Sequence, residues 1–259
     1  MIANYHTHTT RCHHASDSEE EYIQVAIKNG LKTLGFADHT PMPFPDGKIG
    51  VGHHRMAVSE FSDYVETLLA LREKYRDRIE ILIGVEVEYY PDVFASLLKL
   101  LRAYPVDYMI LGQHFLGNED PGDPYAGVLT EDVTTLTRYV DQVVAGIKTG
   151  LISYVAHPDL VHYVGDDAIY RREMKRLCLA AKELNIPLEI NLLGLVEGRH
   201  YPVDKFWQIA AECGNTAILG CDAHGAHRTG DPAEIEKGIA YANKFGIPLL
   251  QTLNIRPIK

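Results

Sequence analysis

Residues 18–39 read SEEEYIQVAIKNGLKTLGFADH and hold one complete structural unit. Ser18 with Glu21 forms a capping box, in which hydroxyl and carboxylate each satisfy an amide that a helix start leaves open. A helix is therefore expected over Ser18–Asn29, with Gly30 as its stop. Thr33–His39 follows as a short β-rich run whose last residues are Asp38 and His39. Helix, glycine stop, strand and a polar strand end is the pattern that decides the fold, because it recurs along the chain.

Upstream, Ile2–His6 is a candidate strand. Downstream come Glu80–Glu86, Asp107–Gln113, Ile152–His157, Pro187–Asn191, Thr216–Asp222 and Pro248–Leu253. Helical stretches separate them: Ser59–Arg76, Asp92–Tyr104, Thr130–Thr149, Ala168–Asn185, Val203–Cys213 and Ala233–Phe245. The first of these carries Phe61, Tyr64, Val65, Leu68, Leu69 and Tyr75 near helical spacing. Strand–helix alternation of this kind predicts a parallel α/β sheet with helices outside. The chain has 259 residues, and closed α/β barrels commonly need ~250. No glycine-rich dinucleotide fingerprint follows the first strand, so a closed barrel is favoured over an open doubly wound sheet. No linker is visible, and residues 1–259 are read as a single domain. Thr40–Val58 and Leu116–Leu129 are rich in Pro, Gly and Asp and are expected as loops over one face.

Composition excludes some roles. Hydrophobic residues at 46% and charged residues at 23% are those of a folded chain. A net charge of −10 disfavours dedicated nucleic-acid or anionic-membrane binding. It still allows a small phosphorylated ligand in a local cationic pocket. The four cysteines form no CxxC pair and no disulfide framework. No signal peptide and no long apolar run is seen, so a reduced, cytoplasmic, soluble protein is expected.

The 13 histidines carry the most information through their placement. The proposed strands end in Tyr5-His6-Thr7-His8, Ala37-Asp38-His39, Gly84-Val85-Glu86-Val87-Glu88, Gly112-Gln113-His114, Ala156-His157-Pro158-Asp159, Glu189-Ile190-Asn191 and Cys221-Asp222-Ala223-His224. A barrel gathers all those ends on one rim, where chemistry sits in parallel α/β proteins. Imidazoles with carboxylates suit divalent Zn, Mn or Fe. His6 and His8 are two apart and point the same way on a strand, and Asp222 with His224 repeats the spacing. A carboxylate such as Glu86 can bridge two cations. Cys221, next to Asp222, is expected to point away. One histidine at a strand end is ordinarily a hydrogen-bonded loop residue; the coincidence across strands is what points to a multinuclear metal site. His53, His54, His162, His200 and His227 lack that support and are read as surface or pocket residues, with His53 and His54 as loop contacts to substrate. Cys178 is read as core.

Taken together, His6-Thr7-His8-Thr9, Asp38-His39, Gly84-Val85-Glu86, His114, His157 and Asp222-Ala223-His224 resemble the polymerase-and-histidinol-phosphatase (PHP) superfamily of metal-dependent phosphoesterases. Cys12-His13-His14-Ala15, Phe36 to Pro43, Gly84 to Tyr89, Leu188 to Asn191 and Leu219 to His224 are similar to its histidinol-phosphate phosphatase branch. The resemblance implies a distorted, TIM-barrel-like (β/α)7 barrel holding two to three divalent transition metals: Zn, Mn or Fe. It implies one ion on His6, His8, Glu86 and Asp222. Glu86 would bridge to a second on His114 and His157, and His14, His39 and His224 would hold a third. The implied reaction is hydrolysis of a small phosphomonoester, with L-histidinol phosphate, a histidine-biosynthesis intermediate, as leading substrate.

Asp38 and Asp159 are candidates either to protonate the leaving group or to orient a ligand histidine, the second being favoured. Arg199, Arg228, Lys48 and Arg55 are candidate phosphate contacts. Glu119, Asp120 and Asp123 are candidates for a substrate ammonium. One departure stands out. The branch usually has a basic residue shortly after the strand that ends in Asn191, and this chain has Val196 there; Arg199 is the shifted substitute. Rival readings are a PHP phosphoesterase for a nucleotide or sugar phosphate, and a non-catalytic metal-binding protein. An exonuclease lacks a basic, aromatic-studded track here, and an amidohydrolase would not normally bridge through Glu86.

Overall fold

The computed structural model describes residues 1–45, 54–120 and 122–258. Seven strands form one parallel sheet: β1 (Ala3–Asn4), β2 (Thr33–His39), β3 (Glu80–Val87), β4 (Tyr108–Leu111), β5 (Ile152–Val155), β6 (Leu188–Asn191) and β7 (Ala217–Gly220). Each strand neighbours the next in the chain. The crossovers carry α1 (Glu19–Lys28), α2 (Phe61–Tyr75), α3 (Pro91–Leu101), α4 (Val133–Lys148), α5 (Asp167–Glu183), and then α6 (Leu192–Glu197) with α7 (Asp204–Glu212). α8 (Pro232–Phe245) follows β7. Local chemistry sets the helix starts. Ser18 and Glu21 make the expected capping box. Asp132, Asp166 and Asp231 each accept from two amides at the starts of α4, α5 and α8.

The sheet closes on itself. Just beyond β1 and β7, Thr7 bridges Ala223 in parallel, and the His8 amide donates to the Ala223 carbonyl at 3.0 Å. Asn4 fills the seam below, accepting from the Cys221 amide at 2.9 Å and donating to Thr7 Oγ1 at 2.6 Å. The result is a nearly closed seven-stranded barrel of TIM-barrel type with helices outside.

Strand alternation sorts the core into two parts. Met109, Leu111, Val85 and Phe36 face the helices and belong to the outer cluster. Tyr5, Tyr108, Ile110, Tyr154, Ala156 and Ile218 fill the barrel. Gly84 makes room for the Tyr108 ring: a Cβ there would lie 2.3 Å from Tyr108 Cζ. The Tyr108 hydroxyl donates to the Tyr5 carbonyl at 2.8 Å.

Pro248–Leu253, expected as an eighth strand, is not one. Only Leu249 bridges β7, opposite Ala217. β1 and β7 already meet at their carboxyl ends, so no full edge is left to extend. The segment turns under the amino end instead. Leu253 donates to the Tyr5 hydroxyl at 3.2 Å, Arg256 donates to Ser153 Oγ at 3.2 Å, and Leu253 and Ile255 pack on the interior cluster. Short α6 went unforeseen because its apolar residues continue those of β6. β4, β5 and β7 also stop short of their expected ends, at Leu111, Val155 and Gly220. Beyond the latter two, His157 (φ +29°) and Asp222 (φ +48°) take left-handed conformations, which turn the chain off the ladder.

Candidate metal centre

Register is the first cause of the site. β2 and β3 pair so that His39 lies directly beside Glu86. Period-two alternation points Glu86 into the barrel mouth, above Gly84 and Tyr108. Glu86 is buried, with its carboxylate among five imidazoles. His39 Nδ1 is 2.9 Å from Oε2, His157 Nε2 is 2.8 Å from Oε1, and His6 and His8 Nε2 each lie 3.7 Å from Oε2. His114 Nε2 is 3.9 Å from Oε1. Asp222 approaches from the opposite wall, with Oδ1 3.0 Å from His8 Nε2 and 3.4 Å from His6 Nε2. His224 stacks on His8 at 4.1 Å between centroids, and His14 on His224 at 4.5 Å. All nine expected ligands, from six different strand-end regions and the loop bearing His14, thus meet at one rim.

Atoms without a well-formed hydrogen bond test whether cations fit. His6 Nε2, His8 Nε2, Glu86 Oε2 and His224 Nε2 are buried and, despite close polar neighbours, make no hydrogen bond of good geometry. Leaving a buried polar atom unpaired costs about 1–3 kcal/mol. Such a concentration is expected where a ligand supplies the missing partner. Potential ligand atoms of His6, His8 and Asp222 lie within 4.8 Å of one another, as do those of His6, Glu86 and His157, and of His8, His39 and His224. The donor set of imidazole and carboxylate is that of Zn, Mn or Fe.

The protonation states suit cation binding. Burial pushes the Glu86 carboxyl up, but His39, His114 and His6 outweigh it and hold it well below the usual range. Asp222 is likewise held down against its burial, first by His6 and His8. Burial holds His39 well below its ordinary value and takes His224 down to about 3. His8 is opposite: the nearby carboxylates of Asp222 and Asp38 outweigh burial and raise it to about 9. Protons and cations therefore compete for this imidazole.

A carboxylate stands behind each of three imidazoles. Glu189 Oε1 lies 2.7 Å from His6 Nδ1, and its Oε2 accepts from the His157 amide at 2.9 Å and from Asn191 Nδ2 at 2.9 Å. Asp38 lies 3.4 Å from His8 Nδ1 and is itself held by both the amide and hydroxyl of Thr9. Glu88 lies 3.2 Å from His114 Nδ1 and accepts from the His114 and Phe115 amides. Such partners fix ring orientation and tautomer. Of the three, only Asp38 was expected beside a ligand histidine; Glu189 and Glu88 were not. Glu189 sits two residues before Asn191 on β6, so both point inward, and a buried strand acid was the available signal. Gly220 opens the space for it: a Cβ there would lie 1.7 Å from Glu189 Oε1.

Other expectations change. Asp159 touches no ligand imidazole among its described hydrogen bonds. It accepts from the Val203 amide at 2.6 Å, anchoring the start of α7. Its carboxyl is pushed up to about 7 by burial. Arg55 is not a phosphate contact: it is buried, paired with Glu88 and Glu119, and donates to the Thr40 carbonyl at 3.0 Å. Glu119 is buried in that pairing and does not line the cavity over the rim. Asp123 accepts from the Asp120 amide at 2.9 Å, and neither lines the cavity over the rim. Lys48 and His53 lie outside the described residues. Arg228 pairs with Glu197 at 3.1 Å.

Arg199 does reach the site. The cavity over the rim has a volume of about 320 Å³, and Arg199 and Tyr201 form one wall with Asp222 and His224. Arg199 donates to the Tyr201 hydroxyl at 3.1 Å and to Glu197 at 2.9 Å. His54, Phe115 and Tyr125 line the same cavity. His54 stacks on Phe115 at 5.5 Å. His162 and His200 stack on each other at 4.2 Å outside this cavity.

Known proteins share this architecture. The chain is 29% identical over 231 residues to a Deinococcus radiodurans protein named "Probable histidinol-phosphatase", covering 86% of each chain. It is 26% identical to the histidinol-phosphatase of Bacillus subtilis, over 87% of this chain and 94% of that one. The crystal structure of a Lactococcus lactis histidinol phosphate phosphatase, complexed with Zn, L-histidinol and phosphate, superposes with a TM-score of 0.72 at 20% identity, covering 97% of this chain and 96% of that one. The model of the PHP domain matches residues 4–192, which takes in the strand ends that carry His6, His39, Glu86, His114 and His157, and the chain belongs to the PHP-domain family.

Proposed function

We propose that this chain is a metal-dependent phosphomonoesterase that converts L-histidinol phosphate and water to L-histidinol and phosphate, a step of histidine biosynthesis. The observation that carries the reading is the set of ligand atoms without a well-formed hydrogen bond around Glu86 and Asp222. The names of the similar proteins support the substrate. In this reading His6, His8, Glu86 and Asp222 hold one ion, His114 and His157 share a second with Glu86, and His14, His39 and His224 hold a third. Two to three ions of Zn, Mn or Fe supply positive charge to the phosphoryl oxygens and acidify water.

The chain's own residues divide the remaining work. Asp38, Glu189 and Glu88 hold His8, His6 and His114 in fixed orientations. Asp38 is buried and bonded on both oxygens, so it acts through His8 rather than as a proton donor. Asp159 acts at a distance, by anchoring Val203 and with it the segment that carries Arg199 and Tyr201. Arg199, on the cavity wall, pairs with a phosphoryl oxygen and replaces the cation missing at Val196. His54, Phe115 and Tyr125 offer flat surfaces to a planar leaving group such as imidazole. Residues 1–259 act as one unit in a reducing cytoplasm, in keeping with four unpaired cysteines. Among the described residues no helix is long and apolar enough to cross a membrane.

Val196 favours a second reading, in which the same machinery serves another small phosphate ester. The test is kcat/KM for L-histidinol phosphate against nucleotide monophosphates and sugar phosphates, with Zn, Mn and Fe each supplied. A preference for L-histidinol phosphate supports the proposal. A preference for another ester replaces the substrate, and no turnover of any ester leaves a metal-binding protein.

A further inference from the structure

Away from the rim, two thiols meet where α5 packs against α7. α5 places Arg171, Lys175 and Cys178 at i, i+4 and i+7, along one face. That face meets the carboxyl end of α7. Arg171 reaches Glu212, and the next residue, Cys213, caps the helix. The Cys213 and Cys178 thiols are close enough for each to shift the other's protonation. Cys178 is buried, whereas Cys213 is partly exposed. Asn215 Nδ2 donates to the Cys178 carbonyl at 2.9 Å, so the turn after Cys213 is tied to the same point of α5. Cys12 and Cys221 are both buried, and neither has this arrangement. An accessible thiol beside cations, with a second thiol behind it, is the arrangement in which oxidation is captured as a disulfide.

We propose that Cys213 and Cys178 form a reversible oxidation site that reacts with hydroperoxides and closes to an intramolecular disulfide. The Cys213 thiolate attacks one peroxide oxygen. An S–O bond forms, the O–O bond breaks, and the other oxygen leaves as water or an alcohol after taking a proton. The Cys178 sulfur then attacks the Cys213 sulfenic acid. An S–S bond forms, the S–O bond breaks, and hydroxide leaves as water with the Cys178 proton. Two thiols give up two electrons in all, and the peroxide accepts them. The neighbouring Cys178 thiol, and after it the charge of Lys175, outweigh partial burial and bring the Cys213 thiol down to about 7. A large fraction of Cys213 is then thiolate at neutral pH, as the first step requires.

The test uses the full-length, metal-loaded protein. It is treated with near-stoichiometric hydrogen peroxide, alkylated, digested without reductant and read by mass spectrometry. The expected product is a peptide pair joined through Cys178 and Cys213, lighter by two hydrogens, formed before Cys12 or Cys221 reacts and reversed by dithiothreitol. In Cys178→Ser the linked pair is absent and dimedone labels Cys213. The proposal is overturned if Cys213 stays alkylatable while Cys12 or Cys221 oxidises, or if wild-type Cys213 oxidises without joining Cys178.

Discussion

The two ends of the barrel are built from the same seven strands and end in opposite chemistry. At the amino end, the hydroxyls of Tyr5 and Tyr108 have partners, and the segment carrying Leu253 and Ile255 covers the opening. At the carboxyl end, carboxylates and imidazoles crowd together and several of their atoms make no hydrogen bond of good geometry. The first end is complete as protein alone. The second is complete only with something added, which is how a fold stores binding energy for a cation. The difference teaches which substitutions should change stability and which should change metal content.

Glu86→Gln should have the largest effect. It removes the charge that faces His39, His157, His6 and His8. We expect turnover to fall by roughly a thousandfold, with metal per chain reduced in elemental analysis. Full metal content in this variant would break the contrast between the two ends. Glu189→Gln should follow, because it weakens the hold on His6 without removing a ligand. Loss of such a supporting partner typically costs about 10–100-fold in metal affinity or activity, readable by titration against a competing chelator.

Gly84→Ala probes the other end. Its Cβ would collide with the Tyr108 ring, and overpacking of this kind costs about 1–3 kcal/mol. Denaturant unfolding should show that loss while metal content stays at the wild-type value. Asp159→Asn tests a region between the two. The Asp159 carboxyl is pushed up to about 7 by burial, from 3.8 for the free group. As pH rises between those values, the unfolded carboxyl ionises while the native one holds its proton, so native stability falls. The substitution should flatten the decline in unfolding midpoint between pH 5 and pH 7. The smallest effect is expected of His162→Ala, which removes a ring stacked on His200 outside the cavity. Stability within about 0.5 kcal/mol of wild type and unchanged kcat are expected. A large loss of kcat would mean the rim extends further than drawn here.

Much of the rim was legible because its signal is local. Eight of the nine expected ligands sit at strand ends, and His6-Thr7-His8 or Asp222-Ala223-His224 can be read without knowing the neighbours. The capping box at Ser18 and Glu21 was legible for the same reason. What was hidden depends on partners far apart in sequence. Arg55 looked like a free cation until Glu88 and Glu119 closed around it. Asp159, two residues from His157, was read as a support for a ligand histidine. Its real partner, Val203, is 44 residues on. Pro248–Leu253 has a strand's composition but no free edge to join. Glu189 required knowing that Gly220, on the next strand, leaves it space.

The central claim is that the rim binds divalent cations and that phosphoester turnover depends on them. The most direct measurement is hydrolysis of L-histidinol phosphate by chelator-stripped protein, before and after stepwise return of Zn, Mn or Fe, with bound metal counted at each step. Activity absent from the stripped protein and rising with metal bound, in wild type but not in Glu86→Gln, is the predicted result. Full hydrolysis by the stripped protein would contradict it.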